Sequence, residues 1–134
     1  MLLLTQIKFW DIKTRKCIKT ITGHDGSVLC LQYNKELIVS GSSDCSAIVW
    51  NSQTGAITHK LIGHSQPVLD IKFNTDIVAT ASKDTFVKIW CLKTGKALIT
   101  IAGHLAAVNA IDIFDNGIVT ASGDCLIKLW VLEI

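Results

Sequence analysis

Hydrophobic and polar positions along this chain change places in short runs. Val28–Tyr33, Val68–Phe73 and Val108–Phe114 alternate with the two-residue period of a half-buried strand. Each is followed by a β-branched run that ends in small residues: Leu37–Ser42, Ile77–Ser82 and Ile118–Ser122. A third run leads into a tryptophan: Ala47–Trp50, Phe86–Trp90 and Leu126–Trp130. Turns containing Gln53-Thr54-Gly55 and Lys93-Thr94-Gly95 then precede a fourth run, Ala56–Ile62 and Lys96–Ala102. These four strands are labelled a, b, c and d. The N-terminus supplies one more c strand, Gln6–Trp10, and one more d strand, Lys16–Thr22. None of these runs reaches the length of about ten residues that a helix wants, and turn-forming residues lie between them. An all-β fold is predicted.

The four-strand pattern repeats, and so do its markers. Tryptophan falls at 10, 50, 90 and 130, Gly-His at 23–24, 63–64 and 103–104, and aspartate at 44, 84 and 124. All share one spacing of 40 residues. A period of about 40 carrying Gly-His and then tryptophan marks the four-stranded blade of a β-propeller. The chain divides into a partial blade at 1–22 (strands c and d), repeats at 23–62 and 63–102, and a repeat at 103–134 that lacks strand d. Leu4 stands where Asp44, Asp84 and Asp124 recur, so the partial blade lacks that marker.

Serine or threonine, histidine and aspartate also recur together, as in a hydrolase triad. A catalytic centre is built once, whereas this set appears three times in one phase. The sets are His24, Ser40, Asp44 and Trp50; His64, Thr80, Asp84 and Trp90; and His104, Thr120, Asp124 and Trp130. An indole N–H only donates and a carboxylate only accepts, while a hydroxyl and a neutral imidazole do both. A chain of hydrogen bonds from Trp through Ser or Thr and His to Asp would tie strand c, strand b, the d–a loop and the b–c turn together. Ser42, Ser82 and Ser122 share the strand face and are the alternative hydroxyls. No catalytic residue is expected. Cys45 and Cys125 share a phase, but Thr85 stands between them and no ligand spacing exists, so neither a metal site nor a cofactor is expected. His59 is unrepeated and reads as a surface residue on strand d.

These residues resemble the WD40-repeat family along essentially the whole chain. The second residue of the family's name motif varies: Trp10-Asp11 keeps it, and Trp50-Asn51, Trp90-Cys91 and Trp130-Val131 do not. The run Gly23–Tyr33, the segment Gly103–Asn109 and the segment Thr120–Asp124 are most similar to F-box/WD-repeat proteins of the beta-transducin-repeat-containing type. The resemblance implies a non-enzymatic protein–protein interaction scaffold, part of a substrate-recognition propeller like that of F-box/WD ubiquitin-ligase receptors. The implied partner is a protein or peptide, including a phosphorylated degron. The d–a loops and b–c turns share one face of the ring, and residues there that escape the repeat are free to specialise. Ser27, Ser43, Pro67, Lys83 and Asn109 are the expected partner-binding rim. A doubly phosphorylated peptide wants arginine forks. The only arginine is Arg15, which leaves Lys83 to meet a phosphate.

Composition narrows the setting. Apolar residues make up 49% of the 134 positions and charged residues 18%, the balance of a core-forming chain. A net charge of +2 with scattered lysines predicts neither nucleic acid nor a membrane surface as partner. Met1–Leu4 is too short for a signal peptide. Five cysteines without a C-x-x-C pair read as reduced thiols used as small apolar residues. The expected location is cytoplasmic, nuclear or both. About three blades plus a c–d pair make an incomplete ring, since propellers use about four to eight blades. Further blades or self-association are expected to close it; two copies would make about six blades. A segment that only builds a ring with other chains is the alternative function.

Overall fold

A computed structural model describes residues 5–132. It contains thirteen strands and, among the described residues, no helix. The first sheet pairs β1 (Gln6–Asp11) with β2 (Lys16–Thr22). The second runs β3 (Val28–Tyr33), β4 (Leu37–Ser42), β5 (Ser46–Asn51) and β6 (Ile57–Ile62). The third runs β7 (Val68–Phe73), β8 (Ile77–Ser82), β9 (Phe86–Cys91) and β10 (Ala97–Ala102). The fourth holds β11 (Val108–Phe114), β12 (Gly117–Ser122) and β13 (Ile127–Val131). Every pairing is antiparallel. This is the all-β, open propeller segment that the pattern predicts. Strand ends move by a residue or so: β6 and β10 begin one residue late, and β13 begins at Ile127. The expectation about Leu4 lies outside the described residues.

Burial follows from stacking the sheets face to face. Val39, Val49, Leu61, Ile71, Val78 and Trp90 fill the space between the second and third sheets. Ala79, Val87, Ile89, Val108, Ile111 and Ile118 do so between the third and fourth. Ile21, Ile38, Ile48 and Trp50 close the second sheet against Ile7 and Phe9 of the first. Strand b of the third sheet is covered on both faces, so all six residues of β8 are buried and its sequence is β-branched or small throughout. Strand d lies at the outer edge, and β10 leaves four of its six residues exposed.

Side-chain bridges join neighbouring inner strands as well. Gln32 accepts the Phe73 N–H at 2.8 Å and donates to the Phe73 carbonyl at 3.4 Å, standing in for a strand partner. Asp70 accepts the Ile111 N–H at 2.8 Å.

Among the described residues, nothing covers the two outer faces of the stack. On the fourth sheet Ile127, Leu129 and Val131 are exposed, although Val87 and Ile89 at the equivalent places of the third are buried. At the other end Trp10, Ile18, Leu31 and Tyr33 are exposed beside the two-stranded first sheet.

Candidate functional site

Each complete d–a loop delivers its histidine between two partners. In the second sheet Trp50 Nε1 donates to Ser40 Oγ at 2.9 Å, and His24 Nε2 lies 2.7 Å from the same oxygen. His24 Nδ1 lies 2.9 Å from Asp44 Oδ2. In the third sheet Trp90 donates to Thr80 at 3.0 Å, and His64 spans Thr80 and Asp84 at 2.7 Å each. In the fourth Trp130 donates to Thr120 at 3.0 Å, and His104 spans Thr120 at 2.7 Å and Asp124 at 2.8 Å. A carboxylate only accepts, so Nδ1 carries the proton and Nε2 accepts from the hydroxyl. Among the described residues no buried side-chain nitrogen or oxygen lacks a partner.

The aspartates also hold backbone. One oxygen accepts the N–H of the residue after histidine: Asp25 at 2.9 Å, Ser65 at 3.1 Å and Leu105 at 3.1 Å. The other accepts an N–H two residues on: Ser46 at 2.8 Å, Phe86 at 2.9 Å and Leu126 at 2.9 Å. Between them Cys45, Thr85 and Cys125 take left-handed backbone, with φ of 74°, 77° and 70°. Burial acts to raise the Asp44 carboxyl, but the Ser46 hydroxyl and amide, His24 and the Asp25 amide outweigh it and hold it at about 2. Asp124 is likewise held at about 2 against desolvation, by His104 and the Leu105 and Leu126 amides, and Asp84 is lowered in the same way. Burial lowers His64 despite the opposing pull of Asp84. The hydroxyls have no room for chemistry: Ser40 and Thr80 have no exposed surface, and each is already engaged on both sides.

Three features were not visible in the sequence. Ser42, Ser82 and Ser122 are placed outside the indole–imidazole chain; each accepts the N–H of its turn aspartate at 3.1 Å and so braces the b–c turn. The glycine before each histidine lies against the indole: a Cβ on Gly23 or Gly103 would come within 2.7 or 2.6 Å of the Trp50 or Trp130 ring. His59 is half-buried rather than a free surface residue, and its Nε2 lies 3.0 Å from the Lys93 carbonyl of the next sheet. Lys19, 40 residues earlier, makes the same clip to the Gln53 carbonyl at 2.6 Å. Chemical dissimilarity of lysine and histidine hides that repeat. The cysteines also depart from the expectation of small apolar packing. Cys17 and Cys125 are exposed, and Cys30, Cys45 and Cys91 are half-buried. Cys30 comes nearest to that role; burial first and the charge of Asp70 second push its thiol up to about 12.

The clamped loops and turns form one rim. Ser43 N–H donates to the Ser27 carbonyl at 2.9 Å, Lys83 N–H to the Pro67 carbonyl at 3.0 Å, and Gly123 N–H to the Ala107 carbonyl at 3.1 Å. The structure therefore brings Ser27 beside Ser43 and Pro67 beside Lys83, while Asn109 stands near Gly123. Lys83 and Asn109 are exposed; Ser27, Ser43 and Pro67 are half-buried.

Stacked antiparallel sheets, three of them holding a hydrogen-bonded His, Asp, hydroxyl and Trp, define a repeat-built propeller scaffold. The chain belongs to the WD40-repeat family: the family model described as "WD domain, G-beta repeat" matches residues 15–51, 55–91 and 95–131. It is 45% identical over 47 residues to an uncharacterised WD repeat-containing protein of Schizosaccharomyces pombe, covering 34% of this chain and 13% of that protein. It is 36% identical over 45 residues to mitochondrial division protein 1 of Aspergillus clavatus, covering 34% of this chain and 7% of that one. The human F-box and WD repeat domain containing protein 10B is also 36% identical over 45 residues, 34% of this chain and 6% of its own. The chain thus spans 13% or less of these relatives. Among solved structures it superposes on the computationally designed Ika4 protein with a TM-score of 0.89 at 32% identity, covering 96% of this chain and 81% of Ika4. The designed Ika8 protein gives the same TM-score and identity, with 40% of its length covered.

Proposed function

We propose that this chain is part of a substrate-recognition propeller whose d–a/b–c rim binds an acidic or phosphorylated segment of another protein. The family supports the coarser statement, a protein-interaction scaffold. The observation that carries the finer one is a contrast within the rim. The clamp beneath it is the same in all three repeats, yet the residues displayed differ: Ser27, Pro67 and Ala107 at one position, and Ser43, Lys83 and Gly123 at another. A surface varied on a fixed frame suits recognition. Relatives that pair an F-box with WD repeats point to recruitment of a ubiquitin-ligase substrate. A cytoplasmic or nuclear setting goes with this reading, as do five free cysteines. Ring closure by further blades or by a second copy belongs to it too.

The test uses random twelve-residue peptides, with and without phosphoserine, displayed and selected on the chain. Selected peptides are then titrated calorimetrically. Lys83→Glu weakens binding at least about tenfold by losing one cation and gaining repulsion, without lowering the melting temperature. Lys93→Glu, in the c–d turn on the opposite face, changes it little. Equal effects at the two sites, or no selected peptide, overturn the reading.

A further inference from the structure

Because the three repeats share one hydrogen-bonding frame, each serves as a control for the others. The residue after histidine donates its N–H to the turn aspartate whether it is Asp25, Ser65 or Leu105. The frame therefore does not select that side chain. Leu105 is nonetheless 91% exposed, the most exposed large apolar side chain on this rim. Its neighbours are Ala106 and Ala107, where the second sheet's loop has Gly26 and Ser27. At the start of strand c the second sheet has Ser46, the third has half-exposed Phe86, and the fourth has half-exposed Leu126. At these positions the rim passes from polar over the second sheet to apolar over the fourth, while the residue after the strand-a valine runs the other way, from exposed Leu29 to Asn109. Exposed apolar side chains that the fold does not require mark an interaction surface when they cluster.

Charge is distributed unevenly along the same rim. Lys83 is the only lysine or arginine in the d–a loops and b–c turns of the second to fourth sheets, and among the described residues no ion pair engages it. Exposed Asp25 stands at the polar end. Lys83 offsets its neighbour Asp84 at the third sheet, whereas Asp25 adds to Asp44 at the second, so an acidic group is favoured at the third sheet over the second. The loop carrying Leu105 leaves β10, the outer strand of the third sheet, so the cation and the apolar patch belong to adjacent steps of the rim.

We infer that the rim over the third and fourth sheets takes an extended segment in which an acidic or phosphorylated residue pairs with Lys83 and a large apolar residue seats on Leu105, Ala106 and Leu126. This rests on the recognition reading above and names the chemistry of its partner. Neighbouring stacked sheets are about 10 Å apart and an extended chain rises about 3.3 Å per residue, which sets the two anchors about three positions apart.

The peptides selected above carry the test. Aligned, they share an acidic or phosphorylated residue about three positions from a large aliphatic or aromatic one. Leu105→Ser, which installs the residue type of Ser65 and leaves the melt unchanged, weakens them about fivefold or more, as loss of an apolar anchor does. Alanine at the peptide's apolar position weakens wild type equally but has little further effect on Leu105→Ser. Asp25→Asn tightens binding slightly or leaves it unchanged. Peptides that depend on Lys83 and ignore Leu105→Ser overturn this inference and leave the recognition reading standing. Peptides indifferent to both overturn both. If Leu105→Ser instead abolishes concentration-dependent association of the chain in light scattering, the patch seats a second copy and the inference is wrong.

Discussion

Trp90 gives its only polar hydrogen to Thr80. Trp90→Phe keeps most of the ring volume and leaves that oxygen one donor short. The expected cost is about 1–3 kcal/mol, read from urea melts, with similar losses for Trp50→Phe and Trp130→Phe. Neutral melts for all three would show that the networks do not hold the blades. Acid works on the same groups. His64 is lowered, so the folded state resists its protonation; stability is full above the unfolded value of 6.5 and begins to fall below it. Asp44 and Asp124 are depressed from 3.8 to about 2, so their contribution is present above pH 4 and is lost as pH falls toward 2. Melting temperature against pH should therefore decline in two stages, and a flat profile from pH 7 to 3 would contradict this. Repetition is what makes these residues readable from sequence, since Trp, hydroxyl, His and Asp each recur at 40-residue intervals. Where chemistry changes between repeats, as from Lys19 to His59, the equivalence is lost to the eye although the clip to the next sheet's carbonyl is kept.

Strands are legible for a different reason. In the third sheet strand a alternates and strand b is β-branched or small because one is covered partly and the other wholly, and both patterns leave a mark in sequence. Backbone sign leaves a weaker mark. Two c–d turns carry Gly55 and Gly95 at φ of 74° and 72°, but the first uses Arg15 at 61°. The b–c turns use Cys45, Thr85 and Cys125, none of which announces positive φ. Thr85 is the most strained of these, because a β-branched side chain crowds its own backbone at 77°. Thr85→Asn keeps a polar side chain and tolerates this conformation better. It should stabilise the chain by about 0.5–1 kcal/mol. A lowered urea midpoint would mean that the Thr85 side chain makes a contact worth more than its strain.

Taken whole, the molecule is a stack with two uncovered ends. Ile127, Leu129 and Val131 lie open at one end, and Trp10, Ile18 and Tyr33 at the other, beside strand edges that have no partner among the described residues. Such surfaces join. The isolated 134-residue chain is expected to self-associate at low micromolar concentration in light scattering; a monodisperse 14.6 kDa species with a cooperative melt would refute this. The pairing order was readable from the repeat, whereas the extent of the open faces depends on how far each sheet overlaps the next. The family repeat and the sheet are also out of phase: residues 15–51 run d-a-b-c, while the sheet spanning 28–62 is built a-b-c-d. Every crossing from one sheet to the next therefore passes through a loop whose histidine is pinned to the sheet ahead. Under tension along the chain, force entering at β2 reaches His24 before it reaches β3. The imidazole acts as a cleat: the load is shared with β4 through Ser40 and with the b–c turn through Asp44, so the inner strand is shielded from being unzipped one residue at a time.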